Sequence, residues 1–238
     1  MPLELLIPEW PAPPTVKALQ TTRRGGVSTG AWDSLNLGEH VGDDEAHVAA
    51  NRQYLASQLP APPAWLQQVH GTDVLRLPAT SGPHMADAAC TRRPHQVCVV
   101  MTADCLPLLL CDRAGTVVAA VHAGWRGLCD GVIEAAVAAM AVSGEDLLAW
   151  LGPAIGPQAF EVGPEVRQAF VSRDAGAASA FMPGRSDRWW ADIYLLARQR
   201  LERLGVSGIH GGDRCTYTEA EYFFSYRRDG VTGRMGTF

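Results

Sequence analysis

Between residues 97 and 121 the chain offers three apolar stretches rich in β-branched and leucine side chains, at 97–101, 106–111 and 116–121. The last two are separated by Asp112-Arg113-Ala114-Gly115. Short apolar runs on either side of a Gly-ending turn signal predict a buried antiparallel hairpin. If Arg113-Ala114-Gly115 is a three-residue loop with Gly115 left-handed, Asp112 pairs with Thr116 and the ladder sets Cys105 opposite Ala123. A one-residue bulge would set Cys105 opposite His122. Either register brings the Cys105 and His122 side chains to the same end of one hairpin, where facing Cβ atoms are about 5 Å apart.

A fully apolar hairpin requires further layers to cover it. Residues 45–59 have helical spacing, with Val48, Tyr54, Leu55 and Leu59 available for one face. Residues 65–69 read as a short strand that ends at His70-Gly71. A helix is expected from the Gly124 turn through Met140, a brief strand at 150–151, and an amphipathic helix at 191–204. That last helix has Asp192 near its start and Gly205 just past its end. A closing strand is expected at 222–226. Strands and helices interleave, and the hairpin makes the sheet mixed, so the fold class is α/β. The proline-rich start marks residues 1–20 as an extended arm, and residues 21–238 form one domain.

Three ligand-type side chains stand at strand ends beside small residues: His70 before Gly71, Cys105 after Ala103-Asp104, and His122 before Ala123-Gly124. Thiolate and imidazole are preferred zinc ligands, and three protein ligands with a fourth position open is the catalytic pattern. A Cys105–His122 nucleophile–base pair is the other chemical reading, but it leaves His70 unexplained. A closed structural zinc site would need a fourth ligand, for which Cys215 is the candidate. The run Thr21-Thr22-Arg23-Arg24-Gly25-Gly26-Val27-Ser28 reads either as a phosphate or carboxylate cradle or as a plain turn-rich loop. Arg126, at the start of the helix after Gly124, has the same anion-binding character. Asp104, beside the metal candidates, is the candidate proton carrier.

Composition narrows the partners. The 238 residues carry a net charge of −5, with basic residues scattered, which argues against nucleic acid or an anionic membrane. No stretch approaches the roughly 20 apolar residues of a membrane span, and the start of the chain lacks the pattern of a signal peptide. The six cysteines include no closely spaced pair of the zinc-ribbon or thioredoxin type, so reduced thiols and a cytoplasmic location are expected. A chain of this length buries roughly 70% of its unfolded surface, so a metal would serve chemistry rather than folding.

The motifs Thr22-Arg23-Arg24-Gly25-Gly26-Val27-Ser28, Ser34-Leu35-Asn36-Leu37-Gly38, Gln68-Val69-His70-Gly71, Thr102-Ala103-Asp104-Cys105 and His122-Ala123-Gly124-Trp125-Arg126-Gly127 occur in this order. They are followed by Gly152-Pro153-Ala154-Ile155-Gly156, Glu161-Val162-Gly163 and Phe224-Ser225-Tyr226-Arg227-Arg228-Asp229. Together they resemble the laccase-domain group, also called polyphenol oxidase, purine nucleoside phosphorylase and peptidoglycan editing factor. The resemblance implies a layered α/β/β/α sandwich with mixed sheets, similar to the catalytic domain of cytotoxic necrotizing factors. It implies zinc, with copper as the alternative, on His70, Cys105 and His122. The implied activity is phosphorolysis of adenosine, inosine and methylthioadenosine, with adenosine deamination. Copper-dependent phenol oxidation and amide hydrolysis of cell-wall precursors are the other family labels. Arg23, Arg24, Asn36, Gln68 and Arg126 are the expected substrate and phosphate contacts. The expected partners are a purine nucleoside and phosphate, acting on a monomer. Multicopper chemistry needs several copper sites rich in histidine. Beyond His70 and His122, the histidines are only at 40, 47, 84, 95 and 210.

Overall fold

The computed structural model describes residues 3–79, 82 and 84–238. Its central sheet has six strands: Val74–Leu77 (β1), Ala88–Thr91 (β2), Leu106–Asp112 (β3), Val118–Ala123 (β4), Leu147–Leu151 (β5) and Gly208–Gly211 (β6). Their order across the sheet is β6-β5-β3-β4-β2-β1. The pairs β3–β4, β3–β5 and β4–β2 are antiparallel, while β5–β6 and β1–β2 are parallel, so the sheet is mixed as expected. A second, antiparallel sheet joins Leu5–Leu6, Gln20–Thr21, Met235–Thr237 and Val100–Thr102 in that order.

Every residue of β3 is buried, because both faces of the sheet are covered. Strand alternation sorts its side chains. Leu106, Leu108 and Leu110 face a core shared with the helices Trp125–Asp130 (α2), Val132–Met140 (α3), Pro164–Arg173 (α4) and Ile193–Arg203 (α5). Leu109 faces the other way, with Ala120, Ala89 and Trp150, into a core that also takes Val100 of the second sheet. The far side of the second sheet is closed by Leu35, Leu37 and Leu55, the last on the helix Glu45–Ala56 (α1). Helix, sheet, sheet, helix is the layering anticipated from the motifs. None of the helices among the described residues is long and apolar enough to cross a membrane.

Several local expectations are corrected. The hairpin pairs Leu106 with Ala123, Pro107 with His122 and Cys111 with Val118, a register that neither proposed loop provides. Asp112 is the cause. Its carboxylate accepts from the backbone N–H of Thr116 (2.6 Å) and Val117 (2.9 Å), and its own N–H donates to the Val117 carbonyl. That closes a loop of four residues instead of three. The helix expected through Met140 is split into α2 and α3 at Gly131, which adopts φ 108°. On the helix Glu45–Ala56, Tyr54 points outward at 43% exposure and Asn51 takes the buried position. There is no strand at 222–226. Ser225 instead caps the one-turn helix Tyr226–Asp229 (α6), and the chain closes with Met235–Thr237.

Candidate metal centre

His70, Cys105 and His122 arrive from three separate chain segments, and their ligand atoms all lie within 4.8 Å of one another. His122 stands on β4 on the inter-sheet side of the strand, with Val118 and Ala120. Cys105 directly precedes β3, after Asp104, whose φ of 96° turns the chain into the strand. His70 also has a positive φ, 61°, sparsely populated for a non-glycine residue. Its Nε2 is 3.8 Å from Cys105 Sγ, and its ring meets that of His122 edge-on at 4.8 Å between centroids. Room for this approach comes from Gly124, where a Cβ would lie 2.6 Å from His70 Cδ2 and 3.1 Å from Cys105 Sγ. Gly127 serves the same loop, since a Cβ there would sit 2.7 Å from the Gly71 carbonyl.

The unusual backbone at His70 is held by a residue that sequence reading missed. Asp87, fully buried just before β2, lies across the ladder from His122. Its carboxylate accepts from the consecutive backbone N–H groups of Val69 (3.2 Å), His70 (2.9 Å) and Gly71 (2.7 Å). It also meets His122 Nδ1 at 2.8 Å. One carboxylate thus fixes the loop that carries one imidazole and orients the ring of another, with Nε2 as the His122 nitrogen that Asp87 does not hold. Burial alone would raise the Asp87 pKa, but the hydrogen bonds from His122 and Gly71 hold it below the usual carboxylate value. An acid within Ala86-Asp87-Ala88-Ala89 was the available signal, because Asp is almost never fully buried unless paired.

The electrostatics suit a cation. Burial would push the Cys105 thiol up, yet the two facing imidazoles, His122 foremost, hold it below its ordinary value. His122 is the reciprocal case: burial opposes its charge, and Cys105 and Asp87 hold its pKa above the usual imidazole value. A thiolate and two imidazoles are zinc or copper donors. Two ligand atoms of a tetrahedral zinc site are about 3.5 Å apart, as the bond lengths imply. The 3.8 Å between Cys105 and His70 is close to that. Cys215 does not join the group; its sulfur accepts from Gly156 N–H at 3.2 Å. Among the described residues this is the only group of three or more His, Cys, Asp or Glu placed to hold an ion. All six cysteines are free, four of them buried.

The other expected site residues are distributed more widely. Asp104 adjoins the centre, but its carboxylate accepts from Thr216 Oγ1 and from Arg227 N–H, each at 2.6 Å, and so braces the Cys105 turn. Gln68 exchanges two hydrogen bonds with the backbone of Met101, which ties the His70 loop to the second sheet. Asn36 is fully buried; it donates to Gly38 and Asp43 and accepts from the N–H groups of Gly38 and Arg234. Arg23 donates to the carbonyls of Asp33 and Ala220, and Arg24 pairs with Glu4 and Glu221. The N–H groups of Gly26, Val27 and Ser28 are likewise taken by Ser34 and Asn51. Most donors of the arginine–glycine run are therefore taken within the protein, and the groove lined by Arg23 and Arg24 has no metal-centre residue in its walls. Arg126 stacks on Trp125 and lines a cavity of about 400 Å³ with Asp130, Ser172 and Arg173, on the helical side.

Residues 17–238 match the family model described as multi-copper polyphenol oxidoreductase laccase. The purine nucleoside phosphorylase YfiH of Escherichia coli is 59% identical, over 99% of this chain and 98% of the relative. A purine nucleoside phosphorylase of Pseudomonas aeruginosa is 54% identical, over 98% and 96%. Among solved structures, a Neisseria meningitidis protein superposes with a TM-score of 0.96 at 52% identity, covering 98% of this chain and 97% of that one.

Proposed function

The chain belongs to the family described as multi-copper polyphenol oxidoreductase laccase, and from that premise we propose that it is a zinc-dependent purine nucleoside phosphorylase. Its substrates are adenosine, inosine and methylthioadenosine, and it also deaminates adenosine, in the cytoplasm. The observation that carries this reading is the single group of three donors, His70, Cys105 and His122, whose ligand atoms lie within 4.8 Å of one another. Relatives named purine nucleoside phosphorylase, identical at more than half of the aligned positions, support it. A multicopper oxidase needs several centres, and the described residues supply one group.

In this reading His70, Cys105 and His122 hold the ion, and Asp87 keeps His122 in the tautomer that presents Nε2. A bound zinc ion supplies Lewis acidity and lowers the pKa of water to about 7. Phosphorolysis joins a phosphate oxygen to C1′ of the ribose and breaks the bond to the purine nitrogen. The purine leaves with that electron pair and takes up the proton that hydrogen phosphate gives up. Deamination adds water at C6 of adenine and releases ammonia. The chain contributes a rigid frame: Asp104 fixes the turn at Cys105, and Gln68 fixes the approach to His70. Purified protein incubated with adenosine tests the proposal. Adenine and ribose 1-phosphate should form only with phosphate present, and inosine without it. Cleavage of a cell-wall precursor with neither product would replace this reading.

A further inference from the structure

Arg23 donates to carbonyls, Arg24 pairs with carboxylates, and the groove they line has no metal-centre residue in its walls, so a phosphate at the centre calls for a cation from elsewhere. The antiparallel pairing of Met235 with Thr102, continued by one residue, sets Arg234 against Ala103, two residues before Cys105. The guanidinium of Arg234 gives one nitrogen to the carbonyls of Thr232 and Gly233, each at 3.0 Å. Among the described residues its other nitrogens have no hydrogen-bond partner, and no carboxylate lies within ion-pair distance. Of the other partly buried arginines, Arg52, Arg200 and Arg214 each pair with a glutamate, whereas Arg23, Arg167 and Arg198, like Arg234, have no carboxylate at ion-pair distance among the described residues. A partly buried cation ordinarily has a counter-charge.

The stem of Arg234 is seated in a built groove. Its backbone N–H donates to Asn36 Oδ1 at 2.9 Å, and a Cβ at Gly38 would lie 2.8 Å from Arg234 Cγ. The run Ser34-Leu35-Asn36-Leu37-Gly38 thus places this side chain, which accounts for a buried Asn and an adjacent glycine. The guanidinium stands 6.0 Å from the ring of Tyr226, on the same α6 whose Arg227 N–H clasps Asp104. Burial lowers the pKa of Arg234, while the charges of Cys105 and Asp104 act in the opposite direction. Burial first, then the charges of Arg234 and Arg52, hold the pKa of His40 below the ordinary value.

We propose that Arg234, seated on Asn36 and Gly38, is the anion subsite of the metal centre and takes the inorganic phosphate consumed in phosphorolysis. This rests on the phosphorylase reading. A guanidinium with unpaired N–H groups suits a phosphate oxygen through charge-assisted hydrogen bonds. The test uses the zinc-loaded full chain and inorganic phosphate as probe, with binding measured by calorimetry and phosphate KM measured separately from nucleoside KM. Arg234→Met should weaken phosphate binding and raise the phosphate KM by roughly 10 to 150-fold, the loss of one charged hydrogen bond. Nucleoside KM and zinc content should hold. Arg234→Lys keeps the charge and stem, and it should recover part of the affinity even if the methionine variant folds poorly. Unchanged phosphate binding in folded Arg234→Met, no difference between the methionine and lysine variants, or equal losses for phosphate and nucleoside, would overturn the subsite. The two readings separate cleanly. Phosphate bound through Arg234 without any ribose 1-phosphate would sink phosphorolysis and leave the subsite standing. Phosphorolysis with an unmoved phosphate KM in Arg234→Met would do the reverse.

Discussion

Asp87→Asn is the change that separates the supporting carboxylate from the ligands it supports. The aspartate accepts four hydrogen bonds, from His122 Nδ1 and from the N–H groups of Val69, His70 and Gly71. Asparagine is nearly isosteric but has one acceptor oxygen and one NH₂ group. If the oxygen faces His122 and His70, the NH₂ group opposes the N–H groups of Val69 and Gly71. The flipped amide reverses the conflict. Two hydrogen bonds to a charged acceptor are lost either way, at about 1.5–3 kcal/mol each. Against a usual total stability of about 5–15 kcal/mol, the metal-free variant should still fold but unfold at markedly lower urea. His122 loses its fixed tautomer and His70 its held backbone. Zinc affinity should fall by about 10 to 100-fold, as for other supporting partners of ligating histidines. Urea unfolding of the metal-free protein and competition for zinc against a chromophoric chelator measure the two effects. Wild-type stability and wild-type zinc affinity together would refute the role given to Asp87. Lost stability with unchanged affinity would reduce it to a brace for the loop.

Three further outcomes follow from the same centre. Cys105→Ala should abolish turnover while the metal-free protein stays within about 1 kcal/mol of wild type, because the thiol is half-buried and outside the cores; thermal melting and a product assay check both halves. Gly124→Ala should lower zinc affinity about tenfold or more, since its Cβ would press on His70 and Cys105; chelator competition reads this directly. Zinc affinity should keep rising with pH above the ordinary imidazole value of about 6.5, because Cys105 and Asp87 hold the proton on His122 and the metal must displace it; a titration flat from neutral pH upward would contradict that.

The mixed α/β class was legible in the interleaved runs around the 97–121 hairpin, its layering only through the resemblance of the motifs to a known family, and the grouping of His70, Cys105 and His122 in their places beside small residues at strand ends. The hairpin register was not, since it turns on one side-chain cap, the Asp112 carboxylate, which lengthens the loop by a residue. The glycines of the Gly124 turn read as an anion cradle, whereas they make room for the His70 loop, a distant segment in sequence that only the fold brings close. Arg23 and Arg24 read as free cations because their partners, the carbonyls of Asp33 and Ala220 and the carboxylates of Glu4 and Glu221, are set by tertiary contacts. Asp87 and Arg234 carry no local motif. A buried acid in an alanine run was a signal for the first, and nothing in the sequence marked the second.

The central claim is that one zinc ion on His70, Cys105 and His122 drives phosphorolysis. Titrating metal-free protein with zinc, while following adenine and ribose 1-phosphate released from adenosine and phosphate, tests it most directly. The account predicts no turnover without metal, a linear rise, and saturation at one zinc per chain. Full turnover in the metal-free protein, or saturation only after several ions per chain, would contradict it.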